Sequence, residues 1–251
     1  MMKPYYEDER VTIYHGDCRD ILPTLPDNSV DLVLTSPPYN VGIDYGGGRE
    51  GDKIDLASYR ELGEGVLGES TRLLVSGGRL CLEIGGSGRN FPLSWLWQDI
   101  AYKHRLGLFS EIVLEHRKTN ETAWGSWLKP DNVYTIPNFH LLYVFYKEVA
   151  TKRGAGTDLV ATEFSEWTRG RWNIQWRIHN SHPSSFPESF AVRCIKLFGH
   201  TNDVILDPFL GSGTTAYCAK KLGRKCIGVE IKERYCEIAA NRCRQMVMDL
   251  I

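Results

Sequence analysis

The run Leu34-Thr35-Ser36-Pro37-Pro38-Tyr39 sets a hydroxyl, a stiffened backbone and an aromatic ring side by side. Each proline fixes its own φ and pushes the residue before it into extended geometry, so the loop is rigid without a hydrogen-bonded turn and presents its carbonyls. The exocyclic amine of a cytosine or adenine ring is a poor nucleophile because its lone pair is delocalised into the ring. Acceptors placed around its hydrogens, here the Ser36 hydroxyl and the Pro37 carbonyl, favour tetrahedral geometry and return electron density to nitrogen. Tyr39 offers a face for the ring to stack on. This chemistry needs no covalent enzyme intermediate.

A second run, Leu206-Asp207-Pro208-Phe209-Leu210-Gly211-Ser212-Gly213-Thr214-Thr215, reads as a ligand cradle. Gly211 and Gly213 let the backbone approach a bound group. The turn lacks the third glycine of the dinucleotide fingerprint, and it has no Lys or Arg to support a phosphate. Asp207 instead suits a ligand carrying positive charge or free amine and hydroxyl groups, and S-adenosylmethionine has both a sulfonium and an ammonium. The following strand ends in Glu230, where a carboxylate for ribose hydroxyls is expected after a glycine-rich turn.

Both runs follow short apolar strands, and in open α/β sheets ligands bind at the C-terminal ends of the strands. Strand patterns occur at Val11–Tyr14, Val30–Thr35, Leu80–Ile84, Leu108–His116, Phe139–Tyr146, Val204–Leu206 and Lys225–Val229. Helical periodicity occurs at Leu56–Leu74, Pro92–His104, Ser189–Leu197, Thr214–Leu222 and Lys232–Met248. This alternation predicts an α/β fold with a parallel sheet covered on both faces. Regular patterns fade between His116 and Phe139 and again from Lys147 to His182. The segment Gly42–Lys53, with three consecutive glycines, is expected to be mobile without ligand and to order over the substrate.

Taken together, these residues resemble the amino-methyltransferases of DNA, the restriction-modification type that methylates cytosine N4 or adenine N6. The order, with the Pro-Pro-Tyr block first and the cofactor block last, resembles their beta group. His15-Gly16-Asp17-Cys18 resembles the family's lead-in to the catalytic loop. Asn40–Tyr45 resembles its flexible segment, and Phe186-Pro187-Glu188 the block that closes over the methionine part of the cofactor. The resemblance implies a Rossmann-like S-adenosylmethionine-dependent methyltransferase fold, a mostly parallel doubly wound sheet with an antiparallel strand, in circularly permuted motif order. It assigns catalysis to Ser36, Pro37, Pro38 and Tyr39. It assigns cofactor binding to Asp17, Cys18, Phe186, Asp207, Phe209, Gly211, Ser212, Gly213, Thr214, Thr215 and Glu230, with Asp17 at the cofactor's adenine. It also divides the chain into a catalytic part at 1–116, a target-recognition insertion at 117–181 that includes the core strand 139–146, and a cofactor-binding part at 182–251.

The implied partner is double-stranded DNA, with a cognate restriction endonuclease and a homodimer both compatible with the family. The expected setting is the cytoplasm of a prokaryote or of a phage-infected cell, without membrane attachment. The Ser-Pro-Pro-Tyr form is commoner in the family's cytosine-N4 enzymes, so cytosine N4 is the expected target and adenine N6 the alternative. An RNA or small-molecule amino-methyltransferase, or a DNA-binding protein that has lost catalysis, are readings from other classes. Motif order argues against glutamine and many RNA methyltransferases, in which the cofactor block comes first. Carbon-5 cytosine methylation is excluded because the chain has no Pro-Cys nucleophile.

At 251 residues and 42% hydrophobic, the chain can build one sizeable core with an insertion. No apolar run approaches a membrane span. The seven cysteines form no Cys-x-x-Cys pair, so core thiols are expected rather than zinc. Net charge is only -1, but the first fifty residues are acidic and the segment from Lys147 to Lys196 has a basic excess. Arg117, Lys118, Lys152, Arg153, Arg169, Arg171 and Arg177 lie among Trp124, Trp127, Trp167, Trp172 and Trp176. Arg117, Lys118, Arg169, Arg171 and Arg177 are the candidates for DNA contact, in a segment whose tryptophans could equally fill a satellite core.

Overall fold

The computed structural model describes residues 3–40, 42, 53–85, 93–116, 124–126, 129–134, 139–152, 156–176 and 185–248. Strands β1 (Tyr6–Glu7), β2 (Val11–His15), β3 (Val30–Thr35), β4 (Leu74–Gly85) and β5 (Leu106–His116) come first. After a small hairpin of β6 (Trp124–Ser126) and β7 (Lys129–Tyr134) follow β8 (Phe139–Lys147), β9 (Arg171–Ile174), β10 (Val204–Asp207) and β11 (Lys225–Glu230). The helices are α1 (Cys18–Ile21), α2 (Leu56–Leu73), α3 (Leu93–Lys103), α4 (Ala161–Trp167), α5 (Glu188–Phe198), α6 (Thr214–Lys221) and α7 (Glu233–Met248).

One nine-stranded sheet runs in the order β1-β2-β11-β10-β3-β4-β8-β5-β9. From β2 to β4 every pairing is parallel, and β8 then runs antiparallel between β4 and β5. The strand β3 shows why the centre is parallel and covered. Leu32 and Leu34 pack with α5, α6 and α7 on one face, while Val33 packs with α1, α2 and α3 on the other. A strand buried on both faces must be a near-continuous apolar run, which Val30–Thr35 is. From β10 the chain winds through α6 and β11 in one direction, and from β3 through α2 and β4 in the other. The point between β10 and β3 is therefore the switch point, where a crevice opens at the strand ends.

The sequence pattern undercounts two regions. The sequence pattern places a strand only at Leu80–Ile84, but β4 already begins at Leu74, ahead of Gly77-Gly78. Gly77 sits at φ +78, and the register against β3 shifts between Val30 and Leu32. The glycines mark an irregularity inside the strand, not its boundary. The stretch from Lys147 to His182, which looks patternless, contains α4 and β9. β9 pairs with β5 and puts Trp172 and Ile174 into the main core. No helix among the described residues is long and apolar enough to cross a membrane.

Candidate functional site

A cavity of about 340 Å³ opens at the C-terminal ends of β2, β3, β10 and β11. Of the residues singled out in the sequence, Asp17, Cys18, Ser36, Pro37, Pro38, Phe186, Phe209, Gly211, Ser212, Thr214 and Glu230 line it. Tyr39, Asp207, Gly213 and Thr215 are not among its lining residues. Arg19, Leu62, Ile231, Lys232 and Tyr235 also line it and were not singled out. Ile231 had a readable signal, since it directly follows the strand-end Glu230, and it remains 59% exposed at the cavity.

On the β10–β11 side, Glu230 accepts hydrogen bonds from the Gly211 N–H and the Lys232 N–H, each at 2.8 Å. A carboxylate has lone pairs beyond these, so it can still accept from a diol in the cavity. Burial raises its pKa, opposed by the N–H groups of Lys232 and Gly211. Asp17 caps α1 by accepting from the Arg19 N–H, and the Arg19 side chain bonds the same carboxylate and holds its pKa below the usual range. Burial pushes the Cys18 thiol up to about 12, so it stays protonated.

Asp207 stands behind the cavity wall. Its two oxygens accept from Thr35 Oγ1 at 2.8 Å, Thr215 Oγ1 at 2.6 Å and the Phe209 N–H at 3.1 Å. It thus ties the end of β3, immediately before Ser36, to the glycine turn after β10. Burial pushes its carboxyl up to about 6, against the pull of those donors. Gly213 also has a packing reason to be glycine: it sits at φ +83, and a Cβ there would lie 2.5 Å from that of Ala239 in α7.

On the β3–β4 side, the tetrapeptide is held from several directions. Tyr59 of α2 donates to the Pro38 carbonyl at 2.5 Å and itself receives the Trp97 Nε1–H at 3.0 Å. That carbonyl is therefore occupied, whereas no hydrogen bond among the described residues reaches the Pro37 carbonyl. Tyr39 Oη lies 2.7 and 2.8 Å from the two oxygens of Glu83 on β4. Its ring packs against Gly85, where a Cβ would meet Tyr39 Cε2 at 2.9 Å. Glu83 is also ion-paired with His140 Nδ1 on the antiparallel neighbour β8, whose ring stands edge-on to Tyr39 at 5.6 Å. Burial alone would raise the Glu83 pKa. The His140 charge and hydrogen bond, with the Ser36 and Tyr39 hydroxyls, outweigh it and hold the carboxyl below its ordinary value. Sequence reasoning missed this pair, although an acidic residue inside Leu80-Cys81-Leu82-Glu83-Ile84 demands a buried partner.

The basic segment divides. Lys152 is buried and ion-paired with Asp203, which removes it from any DNA-facing surface. Trp172 is core, and Trp176 packs on Phe190 and His140. Arg171 is exposed and paired with Glu115, and Arg169 is exposed. Arg117, Lys118, Arg153, Arg177, Trp127 and the Trp124 side chain lie outside the described residues, as does most of Gly42–Lys53. At the base of that last segment, Asn40 accepts the Ile54 N–H at 2.6 Å and donates to the Ile54 carbonyl at 2.8 Å.

Residues 30–241 match the family model of the N6/N4 DNA methylases, described as DNA methylase. The type II methyltransferase M.ScaI of Streptomyces caespitosus is 31% identical, over 96% of this chain and 83% of that protein. The DNA adenine methyltransferase YhdJ of Escherichia coli is 28% identical, over 94% of this chain and 84% of the relative. A solved structure of TTHA0409, a putative DNA modification methylase from Thermus thermophilus complexed with S-adenosyl-L-methionine, superposes with a TM-score of 0.74 at 28% identity. It covers 95% of this chain and 96% of its own. The likeness takes in both strand-end loops and the sheet between them, and the chain belongs to the N6/N4 DNA methylase family.

Proposed function

We propose that this DNA amino-methyltransferase methylates the N4 amine of cytosine in duplex DNA, using S-adenosylmethionine, by base flipping and direct transfer. The observation that carries the proposal is Ser36. It belongs to a Ser-Pro-Pro-Tyr loop, the form commoner in cytosine-N4 enzymes, and it lines the same cavity as the glycine turn and Glu230.

The cavity fits the cofactor by its chemistry. Glu230 offers acceptor capacity for ribose hydroxyls, Asp17 an acceptor for the adenine end, and Phe209, Ile231 and Leu62 apolar walls for a ring. Phe186, on the segment leading into α5, closes another side. When bound, S-adenosylmethionine supplies an electrophilic methyl whose carbon–sulfur bond breaks, the electron pair returning to sulfur, as the nitrogen–carbon bond forms. The chain's own residues prepare the nitrogen. A ring amine inside a duplex is out of reach, so the nucleotide must leave the stack. Ser36 Oγ and the Pro37 carbonyl accept its N–H bonds and direct the lone pair across the cavity. The strand-end brace through Asp207 fixes the distance between the two loops, which is where positioning contributes to rate.

Mass spectrometry of nucleosides from DNA treated with the protein and S-adenosylmethionine is expected to show N4-methylcytosine. Transfer to RNA but not to duplex DNA would overturn the proposal. A second reading, adenine N6, is favoured by the likeness to the Escherichia coli adenine methyltransferase, and N6-methyladenine in the same digest would select it.

A further inference from the structure

We propose that Glu83 is a positioning residue that turns Ser36 into a pure acceptor toward the substrate amine. It supplies from the neighbouring strand the negative charge that an aspartate in place of Ser36 would carry itself. The inference rests on the acceptor role given to Ser36 above, and it holds for either base.

A serine hydroxyl has one proton and two lone pairs. To accept from an amine it must send its proton elsewhere, and the structure provides the destination. Ser36 Oγ lies 3.5 Å from Tyr39 Oη, and Tyr39 in turn lies within 2.8 Å of both Glu83 oxygens. The Tyr39 proton is drawn to the carboxylate, so the phenol oxygen, which also lies 3.3 Å from His140 Nδ1, takes the Ser36 proton on a lone pair. His140 Nδ1 contacts the same carboxylate, and that contact helps hold the carboxyl below its ordinary value. Every proton in the chain from Ser36 to Glu83 therefore points inward, and the Ser36 lone pairs are left facing the cavity. A hydrogen bond that ends in a charge is about twice as strong as a neutral one, which fixes this direction.

Burial argues the same way. Glu83 is 1% exposed, and a buried carboxylate persists only when paired. Among the described residues, its hydrogen-bond partners are side chains gathered at the tetrapeptide, with no backbone amide or helix end between them. Glu83 is not among the cavity-lining residues, while Ser36 is. The charge therefore acts through the hydroxyl, at one remove from the substrate.

The test is an exchange of charge between two positions, read by single-turnover methylation of duplex DNA. Cofactor affinity by calorimetry, DNA affinity and thermal midpoint are measured alongside. Glu83→Gln is expected to lower the transfer rate about 100-fold while both affinities stay within about twofold. Ser36→Asp alone sets a second carboxylate beside Glu83 and should also be impaired. The double variant Ser36→Asp, Glu83→Gln restores one charge at the site and should exceed Glu83→Gln by about tenfold or more. A pair that only fastened β4 to β8 would show no such rescue. Should Glu83→Gln fail to fold, Tyr39→Phe keeps the ring on Gly85 and cuts only the hydroxyl link, with about a tenfold loss expected. Wild-type rates in Glu83→Gln or Tyr39→Phe, or a double variant no better than the product of the singles, overturn the proposal. A wild-type rate in Ser36→Ala would remove the acceptor role of Ser36 itself, a failure distinguishable from loss of the Glu83 inference alone.

Discussion

Glu83 at the end of β4 and Asp207 at the end of β10 are both 1% exposed, at the same edge of the sheet and with only β3 between their strands. Glu83 is hydrogen-bonded to the His140 ring, and its pKa lies below the ordinary value. Among the described residues Asp207 has two threonine hydroxyls and one N–H as partners, and burial carries it up to about 6. One carboxylate is held toward its charged form beside the Ser36 hydroxyl, which is proposed to meet the amine. The other is a tie between two loops, held by groups that bond it without neutralising it. The difference teaches that a buried strand-end acid is not a role in itself, because the partner decides whether it acts as a charge or as a brace.

The sharpest way to break this division is to cut each side's ligand contact and ask whether the losses cross over. Ser36→Ala is expected to reduce single-turnover transfer by 100-fold or more, in line with removal of one positioned polar group at a reacting centre, while cofactor affinity is unchanged by calorimetry. Glu230→Ala removes the acceptor from the other side, so cofactor affinity should fall by roughly tenfold or more, with a smaller loss of rate at saturation. A protein in which Ser36→Ala weakens the cofactor as much as Glu230→Ala would erase the distinction.

Glycines sharpen the same contrast. Gly213→Ala forces a side chain onto a left-handed residue and against the Ala239 backbone, whose Cα would be 2.8 Å away. Overpacking and backbone strain together cost about 2–4 kcal/mol, readable as a lower urea midpoint. Gly85→Ala meets the edge of the Tyr39 ring instead. The ring can shift, so stability should fall by only about 1 kcal/mol while the transfer rate drops roughly tenfold. Equal stability losses at the two positions would show that the amine side is no freer to move than the cofactor side.

The two sides also differed in how legible they were. Val30–Thr35 was readable to the residue because a strand covered on both faces has to be continuously apolar and because Pro37 ends it. The glycine turn and Glu230 were readable because strand, turn and helix follow one another in the chain. Glu83 and His140 were not, being 57 residues apart and joined only by the antiparallel pairing of β4 with β8. The strand β9 was missed for a related reason. Its four residues alternate exposed and buried, too short a run to declare a strand without the partner edge of β5. The position of Asp207 was legible and its surroundings were not, since Thr35 reaches it from 172 residues away.

The smallest expected effect tests the brace directly. A carboxyl whose pKa is raised on folding, from 3.8 to about 6, binds its proton more tightly in the folded protein than in the unfolded one. Its contribution to stability is complete below pH 3.8 and is lost as the pH rises through about 6. Asp207→Asn keeps an acceptor for Thr35 and the Phe209 N–H and lets Thr215 reverse its hydroxyl, but it does not titrate. The stability of the variant relative to the native protein should therefore rise between pH 5 and pH 7.5, by about 1 kcal/mol for the part of the titration crossed in that range. Urea denaturation of both proteins at the two pH values, without cofactor, measures this difference of differences, in which titrations common to both proteins cancel. Because the carboxylate stands behind the wall, cofactor affinity should change by less than about threefold. A gap that does not move with pH would mean that a cation neutralises Asp207 in the folded protein, and the contrast with Glu83 would then close.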